Sequence, residues 1–160
     1  MALSKGKRCE MAERGFEHLE FYKVSLQLLR AAYRLAAGLP DFERYNLADQ
    51  MRRAATSILL NIAEGYGRYH YLERLRFLYI ARGSLNELHS AFIIAEQLNY
   101  CDTEQLEWVR THRETIERQL NGYIRSVRDQ QTGKTEYGDS YLAESPLAYE
   151  VFDLNHETNQ

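Results

Sequence analysis

Proline is almost missing from this chain, with two in 160 residues, and glycine is sparse at nine. Few helix breakers combined with long periodic segments exclude a turn-rich β architecture and point to an all-α protein. Cysteine is scarce too: Cys9 and Cys101 lie far apart and in no ligand spacing. That excludes a disulfide scaffold and suits a reducing cytoplasm. No apolar run approaches the ~18 residues a membrane span needs, and the charged stretch Met1 to Arg14 lacks the apolar core of a signal peptide. A cytoplasmic protein is the expectation. Metal chemistry of the di-iron bundle type needs Glu three residues before His. His18, His70, His89, His112 and His156 all lack it. No hydrolase, kinase or dinucleotide signature appears, so no enzyme, cofactor or small-molecule substrate is expected.

What the chain does have is 44% hydrophobic residues in helical register. At this length one domain can bury a sufficient core without staples. Phe21, Val24, Leu28, Ala31 and Leu35 make one stripe and predict a helix over 16–37. Gly38-Leu39-Pro40 predicts its end, with Gly38 as the left-handed cap. Asn46 reads as the N-cap of a second helix, with Leu47, Met51, Ala54, Ile58 and Ile62 as its seam. That helix is expected to stop after Glu64, at Gly65-Tyr66-Gly67, with Tyr66 pinned against the end of the bundle. A third helix over 69–98 carries Leu75, Leu78, Leu85 and Phe92 beside Phe77, Ala81, Leu88 and Ala95, a face broad enough for two neighbours. Asn99 suits its C-terminal cap. Asp102 followed by Gln105 predicts a capping box opening the fourth helix, which runs to about 130. Long helices with short loops predict an antiparallel up-down-up-down four-helix bundle over 16–130. Residues 1–15 read as a disordered basic lead-in and 131–160 as a flexible acidic tail. In that tail Tyr149-Glu150-Val151-Phe152-Asp153-Leu154 is either a loosely packed segment or a docking peptide.

Charge is unevenly placed behind a net value of −3. Residues 131–160 hold one Lys against six acids, whereas residues 44–82 hold seven Arg against three acids. Two constellations follow. Arg53, Ser57, Asn61 and Glu64, at steps of 4, 4 and 3, share a polar face beside the apolar seam of the second helix. Ser84 and Glu87 on the third helix can meet them, in a register-setting polar network or a small polar pocket. A mid-helix Gly83 beside Ser84 suggests a close helix crossing. The second constellation is Arg68, Tyr69, Tyr71, Arg74, Arg76 and Arg82, with Arg52 nearby. Guanidinium groups bind phosphate and aromatic rings stack on unpaired bases, which suits RNA. The same residue types also rim protein interfaces. Cys101 lies near a helix start, where a thiol pKa can fall, although an ordinary loop cysteine is the simpler reading.

The runs Gln50-Met51-Arg52-Arg53-Ala54-Ala55, Asn61-Ile62-Ala63-Glu64-Gly65-Tyr66-Gly67-Arg68 and Ala81-Arg82-Gly83-Ser84-Leu85-Asn86-Glu87-Leu88 resemble the bacterial proteins encoded in intervening sequences of 23S ribosomal RNA genes. The opening Phe16-Glu17-His18-Leu19-Glu20 is similar to that family's start. The resemblance spans about residues 16–128. It implies an antiparallel four-helix bundle assembled as a homopentamer, without enzymatic activity. It also implies kinship with the accessory variability determinants of diversity-generating retroelements, which associate with a reverse transcriptase and template RNA through a basic surface. Two departures stand out: Leu59 occupies a place where many members have Pro, and the acidic tail extends past the family's bundle.

Overall fold

The structure is a computed structural model, and it describes residues 15–132. The expected lead-in before Gly15 and the tail beyond Thr132, with its 149–154 segment, lie outside the described residues. Four α-helices make up the described residues: α1 (Glu20–Gly38), α2 (Leu47–Gly67), α3 (Tyr71–Gln97) and α4 (Thr103–Gln130). Short 3-10 turns at Phe16–His18 and Asp41–Glu43 precede α1 and α2. Each helix packs on its chain neighbours, and α4 closes the ring against α1. This is the four-helix bundle expected from the apolar periodicity. Its centre holds Leu28, Met51, Ile58, Ile62, Leu78, Leu85, Leu88, Ile116 and Leu120, all with almost no exposure. The broad apolar face of α3 does serve two neighbours, α2 and α4.

Helix ends account for most differences from expectation. The 16–37 segment is not one helix, because Leu19 takes an extended conformation (φ −64°, ψ 124°) between the 3-10 turn and α1. Gly38 belongs to α1 itself, and the cap position is Leu39 in an extended conformation, with the chain carried off by Pro40. Asn46 makes no side-chain cap. The buried Glu43 carboxylate does that work, accepting from the Leu47 N–H (3.2 Å) and from Asn46 Nδ2 (2.9 Å). α2 also runs on through Gly65 and Tyr66 to Gly67. Gly65 is needed for space, not for turning: a Cβ there would lie 3.2 Å from the Arg74 carbonyl oxygen and from Phe77 Cβ. With Leu59 in place of proline, α2 is unbroken. Tyr66 stands edge-on to the rings of Phe16 and His18.

The other two termini form as read. Asn99 is left-handed (φ 58°), its N–H bonded to the Glu96 carbonyl and the Tyr100 N–H to that of Ala95, the paired bonds of a Schellman end. Asp102 Oδ1 accepts from the Gln105 N–H at 2.7 Å, and Gln105 Oε1 from the Asp102 N–H at 3.1 Å. α4 ends on a left-handed Gln131, and the next carbonyl, Thr132, accepts the Tyr71 N–H at 3.0 Å. That bond ties the exit of α4 to the entry of α3. Among the described residues no helix is long and apolar enough to cross a membrane.

Candidate functional site

The polar face of α2 meets α3 at a single central contact. Ser57 Oγ and Ser84 Oγ lie 2.8 Å apart, and Asn61 Nδ2 donates to Ser57 Oγ at 3.0 Å and to the Ser57 carbonyl at 2.8 Å. Ser84 is buried. Hydroxyls have little bulk, so the two helices approach closely here while both serine hydroxyls and the Asn61 amide nitrogen are hydrogen-bonded. The outer members behave differently. Arg53 does not reach Glu87. It pairs with Asp49 at 3.2 Å within its own helix and donates to Gln50, and Gln50 donates to Glu87. Glu64 pairs with Arg68 one turn on. Gln50, one turn before Arg53 and outside the expected polar stripe, therefore makes the outer link to α3. The expected network is a zipper between two helices and not an open pocket.

Gly83, expected at a close crossing, faces open space within the chain. The close approach between α2 and α3 occurs at Ser57–Ser84 and at Gly65, which spacing alone does not distinguish from Gly83.

The Arg and Tyr cluster divides in the same way. Arg52 donates to the Ala36 carbonyl at 3.1 Å, where the last turn of α1 leaves carbonyls unpaired. Arg74 donates to the Tyr123 hydroxyl at 2.8 Å, and Arg82 to Asn121 Oδ1 at 3.2 Å, both crossing from α3 to α4. Tyr71 is half-buried and packs on the core. Tyr79 accepts from Arg128 at 2.7 Å and lies under both the Arg82 and Arg128 guanidinium groups, 5.0 and 6.0 Å from its ring centre. Arg68 lies over the Phe77 ring while paired with Glu64. Of the expected surface, Arg68, Tyr69 and Arg76 are exposed, and Arg52, Tyr71, Arg74 and Arg82 are only partly so.

The structure adds a second rail to this face. Asn121 and Arg128 mark the flank of α4 that touches α3. Arg125 lies between them and Arg118 one turn before, both exposed. The basic surface is thus a groove between α3 and α4. The α4 arginines are 36 or more residues from Arg82, so a window along the chain does not collect them.

Two titratable groups stand apart from this groove. Burial, and then Arg113 and Arg110, lower the pKa of His89, whose Nε2 is buried without a partner. Burial, with Asp102 and Glu96 adding to it, raises the Cys101 thiol, which faces the Phe92 carbonyl. A depressed, reactive thiol at the start of α4 is therefore not what forms.

An antiparallel four-helix bundle with a small-residue zipper between its second and third helices defines the structural class. The chain belongs to the 23S rRNA-intervening sequence protein family, whose model matches residues 17–122. It is also similar in fold to a crystal structure from Bacteroides thetaiotaomicron described as a protein with unknown function from the S23 ribosomal protein family. The two share 23% identity over 65% of this chain and 97% of that chain, with a TM-score of 0.60. No curated protein matches the chain.

Proposed function

We propose that this protein is a non-enzymatic adaptor that associates with copies of itself through the outer face of α2 and α3. The observation that carries this reading is a set of apolar side chains left uncovered there on either side of the exposed Glu87. Ile80 is 42% exposed, Ile94 49% and Leu98 48%, at helical spacing along α3. Gly83 lies on the same face with nothing near it. The Ser57–Ser84 contact puts Leu60, 63% exposed, level with Ile80 across the α2–α3 seam. A mid-helix glycine costs about 1 kcal/mol against alanine. With exposed Ile80 one turn before it and Leu60 across the seam, it suits the close approach of a second helix. A ring of five copies is the assembly that the family resemblance suggests.

Light-scattering mass tests this. The wild-type chain is expected at a multiple of 18.8 kDa, and Ile80→Glu or Gly83→Arg at the mass of one chain. A monomeric wild type, or variants that assemble unchanged, would refute it.

A second reading, RNA as the adaptor's cargo, has its own support in the α3–α4 groove. Arg76, Arg118 and Arg125 are exposed along it. On the resemblance alone, a reverse transcriptase with its template is the client we infer. RNA bound there should dissociate steeply with salt, because counterion release drives such binding. Binding that ignores salt or survives Arg76→Glu with Arg125→Glu would exclude this groove as the RNA site.

A further inference from the structure

We propose that the α3–α4 groove is the docking site for the chain's own residues 133–160. This inference stands on the charge and position of the groove and does not require RNA binding or self-assembly.

Three observations converge. First, residues 71–82 and 118–132, which build the groove's end, hold six Arg against two acids. Contacts fix which side chains face it: Arg82 on Asn121 and Arg128 on Tyr79 bring the two helices together, leaving Arg76 on one rail and Arg118 and Arg125 on the other. Those three have no ion-pair partner among the described residues. Leu72, 42% exposed, adds apolar surface at the same end.

Second, residues 133–160 carry one Lys and six acids, Glu136, Asp139, Glu144, Glu150, Asp153 and Glu157, interleaved with Tyr137, Tyr141 and Phe152. The sign complements the groove, and the aromatics suit guanidinium faces and Leu72.

Third, the described chain ends in the right place. The Thr132 carbonyl is bonded to the Tyr71 N–H, so the described chain stops at the entry of α3, next to Leu72. α4 spans 28 residues, about 42 Å at ~1.5 Å per residue. The 28 residues beyond Thr132 reach about 90 Å when extended, so they can run out along the groove to Arg118 and double back, which returns Ser145 to the groove's end. A tethered segment of opposite charge acts at high effective concentration, so weak contacts suffice to hold it.

The test uses the full chain with Cys9→Ser, Cys101→Ser and a nitroxide spin label on Ser145→Cys, next to Glu144. Isoleucine methyl signals are observed, which stay sharp in a large assembly. Docking is expected to remove more than half the intensity of Ile80 and Ile124, near the groove's end, and to leave Ile93 and Ile94, near the far end of α3, intact. Salt at 0.5 M, or Arg76→Glu with Arg125→Glu, should restore the lost signals, because ion pairs on an exposed groove are screened. No loss at Ile80 and Ile124, or equal loss at all four, would overturn the proposal. So would losses that salt and charge reversal leave unchanged. Loss that appears in isotope-labelled, spin-free chains mixed with spin-labelled ones would assign the groove to another copy's tail and overturn the intramolecular contact. Because mass is read separately by light scattering, failure of this contact and failure of self-assembly are distinguishable.

Discussion

Single side chains in this bundle take their roles from what lies across from them. Arg74 and Arg76 are two residues apart on one helix, yet Arg74 is held by the Tyr123 hydroxyl while Arg76 faces solvent. His89 shows the same dependence. Its ring is desolvated, and Arg113 and Arg110 oppose its charge more than Glu114 and Glu117 favour it, so its pKa falls below the ordinary 6.5. The unfolded chain then binds the proton more readily than the folded one, and stability drops as pH falls below that ordinary value. The contribution is fully present above about pH 6.5 and is lost progressively toward the lower folded value. Replacing His89→Gln is expected to flatten that part of the curve. Urea midpoints between about pH 7 and pH 5 measure it, and an equally steep fall in the variant would show that another group is responsible.

Elements in this fold are delimited by local chemistry where it is strong and by neighbours where it is weak. The capping box of α4 is local. Asp102→Ala removes the carboxylate that accepts from the Gln105 N–H and should destabilise by about 1 kcal/mol in denaturant unfolding; no change would mean that water replaces the cap without loss. α2 shows the opposite case, since it continues past Gly65, where α3 packs against it. Gly65 and Gly122 make a direct comparison. Gly65→Ala forces a methyl onto the Arg74 carbonyl and Phe77 and is expected to destabilise despite better helix propensity. Gly122 has nothing within 4 Å, so Gly122→Ala is expected to stabilise by about 1 kcal/mol. Thermal unfolding of the two variants should move in opposite directions. Movement in the same direction would contradict the packing seen at Gly65.

At the scale of the whole molecule, the described residues set an outer surface with apolar side chains across α2 and α3 apart from a basic one between α3 and α4. If the apolar face joins copies, assembly strengthens or holds with added salt, since burial of Ile80, Ile94 and Leu98 does not depend on charge. Mass should therefore persist at salt concentrations that release a docked tail or a bound polyanion. A mass that collapses with salt would instead place the joint on the arginine groove. This separates the two surfaces without altering a residue.

Much of the fold is legible along the chain because it arises from contacts within a few residues. The seams of α2 and α4, the Asp102–Gln105 box and the left-handed Asn99 are all set by spacing and by side chains within one turn. Ser57 facing Ser84 is legible as well, since both lie on faces that periodicity defines. The rest required the third dimension. Glu43 replaces Asn46 as a cap because the loop folds its carboxylate under α2. Gln50 replaces Arg53 as the link to Glu87 because its side chain lies nearer the seam. Gly65 is crowded and Gly83 is open because helix rotation, not composition, decides which glycine meets a neighbour. Arg52, Arg74 and Arg82 become tethers once Ala36, Tyr123 and Asn121 are brought beside them, which leaves Arg76 to face outward with Arg118 and Arg125 from a distant helix. Local periodicity determines that four helices form and which faces they bury, whereas the pairing of residues tens of positions apart decides which arginines remain available to anything else.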